Sequence, residues 1–141
     1  MDHILQQMQA FSQQCVEILS EIVGIDVSII DNQQMRIAGS GRMKGRVGNI
    51  AAYGHIAQHA LETRQTTVVL NPIVNPICQS CETRSTCDNL SDLWTPIMLD
   101  HTPIGVIGCV CYSVSQRRQF IDRQDTYVRF FEEFASLLGN R

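Results

Sequence analysis

A chain of 141 residues, 44% hydrophobic and 18% charged, has the balance of one globular domain with one core and not that of a disordered segment. A net charge of −3 argues against a nonspecific grip on nucleic acid, which needs a basic surface. The opening MDHILQQMQAF lacks the cationic and apolar regions of a signal peptide, and the longest apolar run, near PIGVIGCVCY, falls far short of the ~20 residues of a membrane span, so a cytoplasmic protein is expected.

In chain order, the first expected element is a helix over residues 2–23. Ile4, Met8, Phe11, Cys15, Ile18, Leu19 and Ile22 recur at three- and four-residue steps, with Gln and Glu on the other face. Gly24 suits its stop. The alternating, β-branched IDVSIID predicts a strand over 25–31, DNQQ a turn and MRIAGS a second strand, together an early hairpin. GSGRMKGRVG follows as a glycine-rich mobile connection carrying Arg42, Lys44 and Arg46. It does not match G-x-x-x-x-G-K-S/T, so cradling of a phosphate is the weaker reading.

NIAAYGHIAQHALETRQ predicts a helix with Asn49 as its N-cap. His55 and His59 share one face of it, a spacing that metal ligands use, but without an H-E-x-x-H pattern the ordinary reading is packing or surface. TTVVL is a third strand. The loop NPIVNPICQSCETRSTCDNLSDL follows, with Pro72 and Pro76 excluding regular structure at its start. WTPIMLD, the turn HTP and IGVIGCVCYSV make a last hairpin. Residues 116–138 close the chain as a helix with Ile121, Gln124, Val128, Phe131, Ala135 and Leu138 on one stripe, widened by Phe120, Phe130, Phe134 and Leu137. Hairpins between terminal helices predict an α+β domain: one antiparallel sheet with helices packed on it.

The chain has six cysteines. In a cytoplasmic chain they are better suited to be thiols or metal ligands than structural disulfides. Cys78, Cys81 and Cys87 form a Cys-x2-Cys-x5-Cys loop, three thiols where zinc or an iron–sulfur cubane wants four ligands. Cys109 and Cys111 point to the same face of a predicted strand. Cys111, nearer the strand end, is the preferred fourth ligand; small apolar core residues is the alternative for both. Cys15 lies on the apolar stripe of the first helix and reads as packing. Zinc, an iron–sulfur cluster, a disulfide and free thiols all stay open, with a slight preference for the cluster because a redox-labile group suits a sensor. No nucleophile elbow, Ser–His–Asp set or convincing carboxylate pair points to an enzyme.

The element order, the hairpin PIMLDHTPIGVIGCVCYS and the terminal FFEEFASLL resemble a GAF domain, a PAS-related sensor fold. More specifically, NPIVNPICQSCETRSTC followed by TPIMLDHTPIGVIG resembles the N-terminal sensory region of bacterial sigma-54-dependent transcriptional activators, and the resemblance spans nearly all of residues 1–141. It implies one sensory domain that detects a small molecule or a redox or metal state. The effector would lie between sheet and connecting segments, near Arg46, Tyr53 and Trp94, although a lone tryptophan is more often core. It also implies a homodimer through the terminal helices. An AAA+ ATPase domain, contact with sigma-54 RNA polymerase and DNA binding would belong to a longer protein, since no Walker A sequence is present here. A small thiol-redox or metal-handling protein using Cys78 and Cys81 is the alternative. The surrounding prolines and third cysteine do not suit a thioredoxin-like pair.

Overall fold

The first apolar stripe does form helix, but in two pieces. The computed structural model describes residues 4–71, 75–78 (without the side chain of Cys78) and 89–139. Helix α1 (Ile4–Gln7) gives way at Met8 to α2 (Gln9–Val23). Leu5, Ser12, Cys15, Val16, Leu19 and Val23 face the core, whereas Phe11, Ile18 and Ile22 are exposed. Gly24 ends α2 in the left-handed region (φ 69°), its N–H donating to the Ser20 carbonyl, the C-cap geometry that glycine adopts without steric cost.

Strands β1 (Val27–Asp31) and β2 (Arg36–Gly39) form the expected hairpin. Asp31 builds its turn: Oδ1 accepts from the backbone N–H of Gln33 and of Met35, each at 2.9 Å. The glycine-rich connection is not a plain loop. Gly41–Arg46 is a 3-10 helix, and Asp26 holds its start by accepting from the Arg42 N–H at 3.1 Å. Helix α3 (His55–Thr63) is shorter than expected, with Gly54 rather than Asn49 at its N-cap. The residues before it pair beside the start of β2 instead: Met35 bridges Ile50, and Ala51 N–H donates to the Gln34 carbonyl. Strand β3 (Thr67–Val69) follows, then a 3-10 turn, Pro76–Cys78.

Strands β4 (Ser91–Leu99) and β5 (Thr102–Cys111) make the longest hairpin, turned by Asp100 and His101, both at positive φ, as a two-residue hairpin turn demands. Helices α4 (Val114–Asp122) and α5 (Gln124–Leu138) replace the single closing helix. They break at Arg123, and Ser113 caps α4 by accepting from Gln116 N–H.

The sheet has the order β2-β1-β5-β4-β3, antiparallel throughout. Strand alternation divides its side chains. One face meets α2, α4 and α5 in the main core, where Phe120, Phe131, Leu19, Ile29, Leu93 and Ile107 are fully buried. The other face carries a smaller cluster of Ile30, Ile56, Ala57, Ala60, Val69, Trp94 and Val106 under α3. The first and last helices are tied directly. The Tyr127 hydroxyl donates to the Val23 carbonyl at 2.9 Å, and Gln119 Nε2 donates to the same carbonyl at 3.2 Å and to the Tyr127 oxygen at 2.7 Å.

Candidate ligand-binding site

The α3 face of the sheet has an unusual floor. One row across four strands runs Trp94, Gly108, Ser28, Gly39. A Cβ on Gly108 would lie 2.3 Å from the Trp94 ring, and one on Gly39 would lie 2.7 Å from the Met43 carbonyl oxygen. The glycines therefore let the indole and the 3-10 segment lean inward over the sheet. Ser28, the smallest side chain in the row, is buried between them. The β2 and β4 strands that carry these walls lie three inter-strand spacings apart, about 14 Å.

Each wall brings a charged group into this apolar setting. On the β4 side, Asp92 is 4% exposed. Its Oδ2 accepts from Trp94 Nε1 at 3.2 Å and from Asn89 Nδ2 at 3.1 Å. Its Oδ1 is buried with no hydrogen-bond partner among the described residues. Burial pushes the carboxyl up to about 6, and the two hydrogen bonds only partly oppose it. On the β2 side, Arg36 is half-buried opposite Ile30. Its Nη1 lies 3.4 Å from Met43 Sδ, and its Nε is buried without a partner among the described residues. Burial first, and then Arg46, lower its affinity for the proton. Backbone hydrogen bonds from Arg36 N–H to the Asn49 carbonyl and from Asn49 N–H to the Arg46 carbonyl hold the two arginine segments together. At the open end the Arg42 guanidinium sits 3.8 Å over the Tyr112 ring.

No family model matches the chain. In sequence it is 27% identical over 139 residues to the Escherichia coli (strain K12) protein named "Putative uric acid sigma-54-dependent transcriptional regulator UacR", a match covering 98% of this chain. The chain spans only 24% of that relative's length. In structure it superposes on the cofactor-binding GAF domain of the nutrient sensor CodY from Clostridium difficile with a TM-score of 0.63 at 13% identity, covering 90% of this chain and 81% of that one. The fold is that of a GAF domain. The same fold also serves an enzyme, the type II free methionine-R-sulfoxide reductase of Thermoplasma acidophilum. Its TM-score is 0.59 at 16% identity, over 92% of this chain and 96% of that one.

In this fold the sequence-predicted pocket residues all lie on the α3 side, in different states. Trp94 forms a wall. Arg46 is exposed at the end of the 3-10 segment, beside Arg36. Tyr53 is half-buried against the α3 cluster, its hydroxyl donating to the Asp31 carbonyl, and burial followed by Asp31 pushes its phenol up to about 12. Tyr53 is thus fastened to the β1–β2 turn. Sequence reasoning missed Arg36, Asp92 and the Gly108–Ser28–Gly39 floor. The available signal was a charged residue inside each of two apolar strands, which the alternation places inward only once the register is known.

The three cysteines whose side chains are described, Cys15, Cys109 and Cys111, all lie in the main core. The side chain of Cys78, and Cys81 and Cys87 entirely, lie outside the described residues. The Pro76–Cys78 turn stands against α3, where His55 Nδ1 lies 3.3 Å from the Ile77 carbonyl. Cys109 and Cys111 lie on the opposite face, 2% and 1% exposed in the main core. Burial raises both thiols. Cys111 is pushed up to about 11, with Asp92 adding to the rise and Arg117 opposing it, and Cys109 well above its usual range, with Cys111 and Asp92 adding to it. Cys15 packs in the same core. No group of three or more metal-ligating side chains occurs among the described residues. A groove of about 580 Å³ runs between the β3–β4 edge and α5 on the main-core face, lined by Thr66, Pro96, Met98, Glu132 and Ser136 among others. Hydrogen bonds of Thr66 Oγ1 to Thr95 Oγ1 and to Glu132 Oε2, at 2.9 and 2.8 Å, cross it. Among the described residues no helix is long and apolar enough to cross a membrane.

Proposed function

We propose that this GAF domain is the non-catalytic sensory module of a cytoplasmic sigma-54-dependent transcriptional regulator, and that a small effector binds on the α3 face between Trp94 and the Arg36–Met43 wall. The supporting observation is the match to such a regulator over 98% of the chain. The orphaned polar atoms of Arg36 and Asp92 add to it, because buried polar groups without partners are costly and favour a ligand that supplies them. The effector would act by selecting between packings of the terminal helices, which the Tyr127–Gln119–Val23 hydrogen bonds couple. An AAA+ ATPase domain, sigma-54 RNA polymerase and DNA are the partners of the longer protein.

The domain would work as a homodimer. Ile18 and Ile22 on α2, with Ile121 on α4 and Leu137 on α5, are exposed by 52%, 47%, 45% and 55%, and pairing the terminal helices would cover them. The cysteine loop is read as a second input, with Cys78, Cys81 and Cys87 ligating zinc or an iron–sulfur cluster. Its fourth position is assigned to Cys111, at the end of β5; a bound metal would itself displace the thiol proton.

Urate, taken from the name of the E. coli relative, is the first effector to test. Trp94 is the chain's single tryptophan, so emission from the intact chain reports on this site alone. A saturable change on titration with sodium urate supports the reading. An unchanged spectrum with urate and with other oxopurines and small organic acids would count against it.

A further inference from the structure

The strongest unexplained feature is a guanidinium in the wrong place. Arg36 lies on the inward side of β2, opposite Ile30, next to the floor of Ser28 and the glycines. Its Nη1 is spent on a thioether, a weak acceptor, and its Nε is buried with no acceptor among the described residues. The groups bearing on its charge are a second arginine, Arg46, and Tyr112. The 3-10 segment adds Arg42 and Lys44 to the same corner. An arginine placed only for stability would be paired or would reach solvent. Here a half-buried cation whose Nε lacks an acceptor among the described residues has a second cation, Arg46, bearing on it, which is the local cost expected of a binding residue.

Resting on the proposed effector site, we infer that Arg36, with Arg46, is an anion-recognition corner that selects effectors carrying a negatively charged, planar edge. The Arg36 Nε–H and the remaining Nη protons form a planar fork suited to two oxygens of one carboxylate, or to adjacent oxygen and nitrogen acceptors of an ionised heterocycle. The effector's flat body would then extend from the corner over Ser28 toward the Trp94 ring. A neutral analogue of the same shape would keep the stacking and lose the corner.

The test uses the whole chain and Arg36→Met, which keeps length and apolar volume. Without any ligand, the variant should melt at the same temperature as the parent or higher, because a desolvated, like-charged guanidinium is removed. A clearly lower melting temperature would mean that Arg36 is structural and would overturn the inference. Trp94 emission is then titrated with sodium urate, with uncharged hypoxanthine, and with sodium sulfate at constant ionic strength. Parent protein should prefer urate to hypoxanthine by roughly tenfold or more, and Arg36→Met should lose roughly ten- to hundredfold in urate affinity while leaving hypoxanthine unchanged. Equal urate binding by parent and variant overturns the corner but leaves the effector site standing. A parent response to hypoxanthine with none to urate or sulfate does the same. No response to any of the three overturns the corner and weighs against the sensor site as well.

Discussion

Replacing Asp92 by Asn should stabilise this domain at neutral pH and destabilise it in acid. Asp92 is 4% exposed, and burial lifts its carboxyl from 3.8 to about 6. A folded-state pKa above the unfolded value means that the fold prefers the neutral acid. Stability from this group is therefore complete below about pH 4, declines as the pH rises through about 6 and is lost above that. A rise of that size, at about 1.36 kcal/mol per pKa unit, is worth about 3 kcal/mol between the two limits. Asn does not ionise, so its stability lacks this slope. Its amide also puts an N–H₂ where an oxygen now lies, at a cost of about 1–2 kcal/mol. The variant should then be about 1–2 kcal/mol less stable than the parent near pH 4 and about as much more stable at pH 7.5. Urea unfolding followed by far-ultraviolet circular dichroism across that range measures the difference. A difference that stays constant with pH would refute the argument that burial holds Asp92 protonated.

Further outcomes follow from other parts of the fold. Gly108→Ala would push a methyl group to 2.3 Å from the Trp94 ring and 2.4 Å from the Leu93 carbonyl oxygen; we expect a loss of about 1–3 kcal/mol in urea unfolding together with a shifted Trp94 emission, and an unshifted spectrum would contradict the close approach. Tyr127→Phe removes the hydroxyl that joins Val23 to Gln119 and should cost about 1–2 kcal/mol in thermal unfolding without altering Trp94 emission. Ile18→Glu, at an exposed site on α2, should convert a dimer to a folded monomer in light scattering; an unaltered dimer would remove the terminal helices from the interface. Cys78→Ala and Cys111→Ala should each lower the metal content of anaerobically purified protein, and an unchanged content in Cys111→Ala would remove Cys111 as the fourth ligand.

The hairpins were legible because period-two alternation and the turns DNQQ and HTP say the same thing locally, although the second turn falls earlier, at Asp100 and His101, with Thr102 already in β5. The helix breaks were not. Met8 and Arg123 are ordinary helix formers, and nothing nearby is proline or glycine. Phe131, Ala135 and Leu138 of the expected stripe are buried in α5, where Tyr127 joins them, whereas Ile121, in α4 before the break, stays exposed. The late start of α3 is likewise a tertiary effect, since Ile50 is taken up as a bridge to Met35. At the site, Arg46, Tyr53 and Trp94 came from the resemblance, which points to a region. Arg36 and Asp92 needed the register, because a charged residue in a short strand reads as outward until its partners, Ile30 and Val110, are known.

The central claim is that a small effector binds on the α3 face over Ser28, between Trp94 and the Arg36–Met43 wall. The most direct measurement is calorimetric titration of the domain with whichever small molecule saturably changes Trp94 emission, repeated on Ser28→Phe, which fills the floor. The account predicts one molecule bound per chain by the parent and none by the variant, with both proteins folded. Undiminished binding by folded Ser28→Phe would place the effector elsewhere and contradict it.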